Sequence, residues 1–172
     1  MKLKTLFVAA AVATLVSCET TYQATDTGVV VAPAGTQEAF LVQYPGSSNI
    51  VWNYYDPNTV ILNDWELLGW RALDANDYLV TFDMDGEKYH AWYDADGTWI
   101  GTAYVVRDFN TLPVAIHNTI NTNYPGYTIS SVNRGFQKDR MTYEVTLKGS
   151  DNKVVMLVDN DGNVIKYKSK PH

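Results

Sequence analysis

Short turn sequences occur twice in this chain, and this repetition restricts its fold more than any other feature of the sequence. The tripeptide Tyr44-Pro45-Gly46 returns as Tyr124-Pro125-Gly126, and Asp94-Ala95-Asp96-Gly97 returns as Asp159-Asn160-Asp161-Gly162. The first pair is separated by 80 residues and the second by 65, so the two copies differ in length. The recurrence of both turn sequences in the same order predicts that one supersecondary unit occurs twice in the chain.

The difference between the two offsets predicts an insertion in the first copy. Aligning residues 70–73 with residues 133–136 places this insertion at about 53–69. We therefore predict two tandem repeats, at 36–107 and 108–172.

Each repeat is predicted to begin with a helix that ends near its Tyr-Pro-Gly turn. Thr36 is expected to cap the first helix, and Asn110 or Thr111 the second, because short polar side chains accept hydrogen bonds from the first free N–H groups. Pro113 is expected in the first turn of the second helix, where its missing N–H costs nothing.

Alternating residues after each helix predict strands with one buried side. The core positions are Tyr78, Val80, Phe82 and Met84 in one repeat, and Met141, Tyr143, Val145 and Leu147 in the other. The residues between them, Leu79, Thr81 and Asp83 or Thr142, Glu144 and Thr146, are predicted to face water. Each Asp-x-Asp-Gly sequence is predicted to join a third and a fourth strand as a hairpin.

These patterns predict an α+β fold of two tandem repeats, each a helix packed on a four-stranded antiparallel sheet. With its turn sequences, the chain resembles the PepSY-like, beta-lactamase-inhibitor-like lipoproteins of Gram-negative bacteria. The matching residues are Tyr44 to Gly46, Tyr93 to Gly97, Leu112-Pro113, Tyr124 to Gly126 and Asp159 to Gly162. The resemblance implies a protein that binds, and restrains, an enzyme of the cell envelope.

The N-terminal residues predict export and lipidation. Lys2 and Lys4 precede a short apolar stretch that ends Leu15-Val16-Ser17-Cys18, which resembles a bacterial lipobox. We predict a signal peptide over 1–17, acylation of Cys18 and a tether over 18–35. An ordinary signal peptide with a chance cysteine is the alternative. The predicted location is the cell envelope, anchored in the outer membrane, with the protein facing either the periplasm or the exterior.

Charge argues against a nucleic-acid partner. The formal net charge is −6, which is the wrong sign for a surface that must neutralise phosphates. Residues 36–107 hold 11 acidic and three basic side chains, whereas 108–172 hold six and eight. The first repeat is therefore predicted to be strongly acidic. The only membrane contact that we predict is the one made by the lipid on Cys18.

The candidate catalytic and metal-binding residues are few. The three histidines have no ligand spacing. The Asp-x-Asp-Gly sequences lack the glycine and closing glutamate of an EF-hand, with Trp99 and Val105 at those positions in the first. We predict no metal site, no cofactor and no enzymatic activity. A hydrolase that depends on His90 remains a third possibility.

Aromatic residues provide the predicted binding surface. All five tryptophans lie in the first repeat, and strand alternation predicts that His90, Trp92 and Trp99 share an exposed sheet face with Thr81 and Asp83. Such a patch is typical of protein interfaces. We predict a protein or peptide partner there. The alternatives are a glycan stacked on the tryptophans, or tryptophans that pack against the insertion or the other repeat.

Overall fold

The computed structural model describes residues 30–58, 65–138 and 140–171. Within these ranges it contains two α-helices, α1 (Ala34–Gln43) and α2 (Val114–Asn123), and a short 3-10 helix, Phe109–Thr111. The strands are β1 (Ser48–Tyr54), β2 (Tyr78–Met84), β3 (Glu87–Tyr93), β4 (Trp99–Val105), β5 (Thr128–Gln137), β6 (Arg140–Lys148), β7 (Asn152–Asp159) and β8 (Val164–Pro171).

The strands form one continuous antiparallel sheet in which each pairs with its neighbours in the sequence. The first four strands join the last four where β4 pairs with β5, with Thr102 beside Phe136 and Tyr104 beside Arg134. The mixture of helices and antiparallel strands is confirmed. The prediction of a separate four-stranded sheet for each repeat is corrected to one eight-stranded sheet. Joining β4 to β5 satisfies N–H and C=O groups that two sheet edges would otherwise expose.

Both helices pack on the same side of the sheet, which we call the helix face. Phe40 of α1 is buried with Val80 and Phe82, and Ile116 of α2 is buried with Val145. The predicted core positions of β2 are confirmed, and so are Tyr143, Val145 and Leu147 of β6, because these side chains lie in the core of the helix face.

The predicted helix caps are wrong. Pro33 and Pro113 occupy the two N-cap positions, so Thr36, Asn110 and Thr111 cap neither α-helix, and Pro113 directly precedes the first turn of α2 instead of lying in it. Thr36 lies inside α1 and is buried. Asp108 instead caps the 3-10 helix, where its side chain accepts a hydrogen bond from the N–H of Asn110 at 3.0 Å.

The two Asp-x-Asp-Gly sequences form equivalent hairpin turns, as predicted. In each turn, one oxygen of the first aspartate accepts hydrogen bonds from the backbone N–H groups two and four residues later, at 2.8–3.1 Å. Gly97 and Gly162 close the turns with φ of +83° and +80°, a region that glycine adopts without steric cost. The turns connect β3 to β4 and β7 to β8.

The opposite side of the sheet is also covered, which contradicts the prediction that it faces water. Residues 65–73, which we call the strap, pack across it, and we call this side the strap face. Thr142, Glu144 and Thr146 on this face are no more than 3% exposed. Residues 70–73, which were aligned with strand residues 133–136, belong to the strap instead. The sheet is thus the middle of three layers.

A glycine on β4 makes room for the strap, and its replacement is expected to loosen the packing. A Cβ atom on Gly101 would lie 2.5 Å from the Trp70 ring and 2.8 Å from the carbonyl oxygen of Phe136. Gly101→Ala is therefore expected to lower the free energy of unfolding by about 1–3 kcal/mol, as overpacked cores do. Urea denaturation measures the change.

Gly35→Ala is the matched control, because a Cβ at this position in α1 meets nothing within 4 Å. That variant is expected to be neutral or more stable by about 0.5–1 kcal/mol, since alanine is the better helix former. Equal stability of Gly101→Ala and the wild type would show that the strap does not press against β4.

Candidate functional site

Three tryptophan rings pack together between the strap and the strap face. The ring centroids of Trp65 and Trp70 lie 5.0 Å apart, and those rings lie 4.8 Å and 5.4 Å from the Trp92 ring. Trp92 is completely buried, together with Leu79 and Ala103. Three of the five tryptophans that suggested a binding platform therefore form a second hydrophobic core.

A buried carboxylate on β6 holds the strap in place. One oxygen of Glu144 accepts a hydrogen bond from the backbone N–H of Glu66 at 2.5 Å, and the other accepts one from the N–H of Leu68 at 2.7 Å. Burial raises the pKa of Glu144 to about 7, and these two hydrogen bonds only partly oppose the increase. Glu144 thus ties the strap to the sheet while it carries a strong desolvation cost.

Ion pairs attach the same part of the strap to β8. The carboxylate of Glu66 contacts the ammonium groups of Lys168, at 3.2 Å, and of Lys170. The hydrogen bond and charge of Lys170, aided by those of Lys168, lower the pKa of Glu66 despite some burial. The side chain of Leu68, also in the strap, packs against Val155 and Leu157 of β7.

The predicted binding residues do not form one exposed patch. Trp92 lies on the strap face, whereas Trp99 packs with the core of the helix face. The cause is an irregularity between Trp92 and Tyr93, which pairs Tyr93 with Trp99. The predictions that Trp92 is exposed and that it shares a face with Trp99 are therefore wrong.

Thr81 and His90 are brought together, at the margin of the strap face. The His90 Nδ1 and Thr81 Oγ1 atoms lie 3.3 Å apart, and His90 is only 8% exposed. Burial, with a smaller contribution from Lys88, lowers the pKa of His90 to about 4, so the ring is neutral at pH 7. Asp83, which lies on β2 with Thr81, is half-buried, and its carboxylate lies 3.9 Å from the ammonium group of Lys88. Whether these residues contact a partner stays a prediction.

An open groove of about 570 Å³ lies at one end of the sheet. Its walls come from the strap, from the β3–β4 turn with the start of β4, and from the β5–β6 turn. The lining residues are Gly69, Arg71, Asp94, Thr98, Trp99, Ile100, Gln137, Lys138 and Arg140. Of the predicted binding residues, only Trp99 lies here.

The polar groups of the groove are fixed by neighbouring contacts. Arg71 donates to the buried carboxylate of Asp77 at 2.7 Å. Nη2 of Arg140 donates to the carbonyl oxygen of Gly69 at 3.3 Å and to Gln137 at 3.1 Å. Nε1 of Trp99 donates to Thr102 at 3.0 Å, which holds the indole ring in one orientation. The cationic groups of Arg71 and Arg140 are therefore positioned by their neighbours at the groove.

The sequence reasoning missed Arg71, Lys138 and Arg140 as parts of one site. Lys138 and Arg140 stand in the turn between two predicted strands, so their closeness to each other was visible in the sequence. Their closeness to Arg71 was not, because it depends on the path of the strap between β1 and β2.

Three remaining predictions concern metals, the N-terminus and membranes. Within residues 30–58, 65–138 and 140–171, no group of three or more His, Cys, Asp or Glu side chains is arranged to hold a metal ion. Cys18, the signal peptide and most of the tether lie outside the described residues. No helix in the described part of the chain is long and apolar enough to cross a membrane.

Residues 76–166 match the family model described as "Putative beta-lactamase-inhibitor-like, PepSY-like". This match covers more than half of the chain. The chain belongs to the PepSY-like family. The predicted resemblance is therefore confirmed. No functionally curated protein matches the sequence.

Solved structures of Bacteroides proteins share the fold of this PepSY-like chain. A BLIP-like protein from Bacteroides fragilis is 19% identical with a TM-score of 0.65, over 86% of this chain and 92% of that one. A DUF2874 family protein from Bacteroides uniformis is 19% identical with a TM-score of 0.62, over 81% and 90%. A protein from Bacteroides eggerthii, titled "putative periplasmic", is 17% identical with a TM-score of 0.60, over 81% and 90%. At these identities the likeness shows the fold alone.

Proposed function

We propose that this protein is a noncatalytic binding protein of the cell envelope, which binds a protein or peptide partner and thereby restrains an envelope hydrolase. In this proposal Cys18 carries the lipid that holds the protein at the outer membrane. The tandem division at 36–107 and 108–172 belongs to the same proposal. It is supported by the order of elements, since a helix followed by four strands occurs twice in the described chain.

The groove at the end of the sheet is the observation that carries the proposal. Its described lining includes Trp99 at the start of β4 and the cationic residues Arg71 and Arg140, whose side chains are bonded to their neighbours. Rigid aromatic and arginine side chains are the residue types that dominate protein interfaces. The strap face, by contrast, is filled by the strap itself.

The comparisons support the noncatalytic part of the proposal. The family description refers to a beta-lactamase inhibitor, and the B. fragilis neighbour is titled BLIP-like. His90, the residue on which a hydrolase was considered, contacts Thr81 and lies against the Trp92 ring, with centroids 6.3 Å apart. The "periplasmic" title of the B. eggerthii neighbour supports a place in the envelope.

Capture from envelope extracts tests this function. The full-length protein, fixed on beads, is expected to retain a protein that mass spectrometry identifies and that, once purified, binds saturably with a Kd of about 1 μM or tighter. Calorimetry measures the affinity, and an acidic bait of similar size is the control.

Two outcomes would contradict the proposal. One is saturable binding on a glycan array without any protein partner, which would favour the glycan alternative. The other is turnover in a screen of hydrolase substrates that His90→Ala abolishes.

A further inference from the structure

We propose that residues 66–69 form a pH-sensitive flap, which is closed over the buried carboxyl group of Glu144 at pH 5 and opens increasingly toward pH 8 while the sheet stays folded. The flap is the part of the strap between Trp65 and Trp70. Its motion is independent of the proposed function, because it involves the strap alone.

The two ends of the flap are anchored in one place, and its middle reaches across the sheet. The rings of Trp65 and Trp70 pack against each other, with centroids 5.0 Å apart, and both pack on Trp92 of β3. Between them, the side chain of Leu68 packs on β7, four strands away. A segment that is anchored at both ends can therefore lift at its middle, with the residues beside the anchors as hinges.

The backbone of the flap contains two residues in the left-handed region. Leu67 has a φ of +54° and Gly69 a φ of +76°. The N–H of Trp70 donates to the carbonyl oxygen of Leu67 at 3.0 Å, which closes a turn inside the flap. Glycine adopts this conformation freely, whereas the Cβ of leucine opposes it. The closed flap therefore stores backbone strain that opening relieves.

The flap supplies the hydrogen-bond donors of Glu144. The two donors are the N–H groups of Glu66 and Leu68, at 2.5 Å and 2.7 Å. Among the described residues, no side chain donates a hydrogen bond to this carboxyl group. When the flap lifts, water replaces both donors and hydrates the carboxylate. The closed flap thus favours the neutral form of Glu144, and the open flap favours the charged form.

Several charged side chains share the strap face with Glu144. They are Glu66 of the flap, Arg140 and Lys148 of β6, Lys153 and Asp159 of β7, and Lys166, Lys168 and Lys170 of β8. On β5, the residue opposite Glu144 is the uncharged Asn133.

These charges do not offset the burial of Glu144. Glu66 disfavours the ionisation of Glu144 and Lys153 favours it, but burial is the larger cause and raises the pKa of Glu144 to about 7. Glu66 itself stays ionised above pH 5, because its bonds to Lys170 and Lys168 lower its pKa. Those ion pairs therefore hold the flap equally at pH 5 and pH 8, and the charge that changes beneath the flap is that of Glu144.

The direction of the pH effect follows from the two states of the flap. The pKa of Glu144 is about 7 when the flap is closed, and in the open, hydrated form it returns toward the ordinary value of 4.5. The open form therefore binds the proton less tightly than the closed form does. The ratio of open to closed protein is lowest below pH 4.5 and is expected to rise about 70-fold between pH 5 and pH 8.

Amide hydrogen exchange of the full-length protein, followed by NMR and corrected for the intrinsic rate at each pH, tests the proposal. Protection of the Leu68 N–H is expected to fall about 70-fold between pH 5 and pH 8. The N–H of Val145, in a buried position of β6, reports global unfolding. Because global unfolding also exposes Glu144, urea distinguishes the two motions. Exchange at Leu68 is expected to be at least about tenfold less protected than at Val145 and unchanged by about 1 M urea, which accelerates exchange at Val145.

The Glu144→Gln variant tests whether this carboxyl group controls the flap. Glutamine has nearly the same volume and does not ionise, so the protection of the Leu68 N–H is expected to stay within about twofold from pH 5 to pH 8. Glu38→Gln, on the exposed side of α1, is the matched control and is expected to keep the full pH dependence.

A second variant opens the flap without changing a charge. A Cβ atom on Gly69 would lie 2.7 Å from Cδ2 of Leu157, so Gly69→Ala crowds the closed form only. The open population is expected to rise about tenfold or more at every pH, as overpacked contacts do. Gly46→Ala is the matched control, because Gly46 also has a positive φ, +89°, but a Cβ there meets nothing within 4 Å. It is expected to leave exchange at Leu68 unchanged.

Three results would overturn the proposal. Equal protection and equal urea dependence of the Leu68 and Val145 N–H groups would show that the flap moves only when the whole protein unfolds. Protection of Leu68 that is constant with pH in the wild type, or that changes equally in Glu144→Gln, would remove Glu144 as the controlling group. Unchanged exchange at Leu68 in Gly69→Ala would show that the flap does not press on β7 when it is closed.

Discussion

Replacing Trp92 with alanine is expected to lower the free energy of unfolding by about 3–5 kcal/mol, the usual cost of deleting a buried aromatic side chain. Trp92 is 0% exposed, and its ring contacts those of Trp65 and Trp70 at centroid distances of 4.8 Å and 5.4 Å. Removal of this ring leaves a cavity that the strap and the sheet can fill only in part. Denaturation with urea, followed by far-UV circular dichroism, measures the loss.

Trp99→Ala is the matched control. The Trp99 side chain is only partly buried, and it packs at the margin of the core of the helix face. We expect its replacement to cost about 1–2 kcal/mol, within the common range for single substitutions. A stability loss at Trp92 no larger than that at Trp99 would contradict a structural role for the tryptophan cluster.

A second large effect is expected from the buried carboxylate that holds the strap. The pKa of Glu144 is about 7 in the folded protein, against an ordinary value of 4.5. The folded state therefore binds this proton more tightly than the unfolded state does. The resulting stability is fully present below pH 4.5 and is lost as the pH rises through 7.

The Glu144→Gln variant isolates this contribution. Relative to the variant, the wild type is expected to lose about 2–3 kcal/mol of unfolding free energy between pH 5 and pH 8, since one pKa unit corresponds to about 1.4 kcal/mol. Urea titrations of both proteins at several pH values measure the difference. Glu38→Gln removes an exposed carboxylate of α1 and is the control for the change in charge. A constant difference between wild type and Glu144→Gln over this range would contradict the prediction.

The comparison with a variant is necessary because His90 acts in the opposite direction. Its folded pKa of about 4 lies below the ordinary value of 6.5, so the stability it contributes is present above pH 6.5 and is lost as the pH falls through 4. Over the range between, the contributions of His90 and Glu144 partly cancel in the wild type. The variant removes one of them and leaves the other unchanged.

The sequence predicted the parts of the fold that depend on local chemistry. Glycine and aspartate at fixed offsets determine the hairpin turns, and alternation of apolar residues determines the buried side of strands such as β2. These signals require only neighbouring residues, so they could be found without coordinates. The helix caps were predicted wrongly because Pro33 and Pro113 were not considered as residues that directly precede the helices.

The second covered face could not be predicted because its cover has no regular period. Glu144 and Thr146 alternate with core residues and are polar, which is typical of a strand with one side in water. Their burial depends on the strap, whose contacts with β6 join residues 76 and 78 positions apart in the sequence. No local pattern reports such contacts.

The predicted sheet face of Trp99 was wrong for a different reason. One irregular pairing between β3 and β4 is enough to move a side chain from one face of a sheet to the other. Alternation counted from Trp92 therefore assigned Trp99 to the wrong side. The basic residues of the groove were missed because each looks like an ordinary surface charge until the strap brings Arg71 beside the β5–β6 turn.

The strap also determines how independent the two halves of the chain can be. It belongs to the N-terminal half, yet Glu66 is bonded to lysines of the last strand and its backbone to a carboxylate of β6. Neither half can detach without breaking these bonds and the β4–β5 pairing at once. The two halves of the chain are thus joined both through the sheet and across its strap face, so that neither is a module that could be exchanged or shed alone.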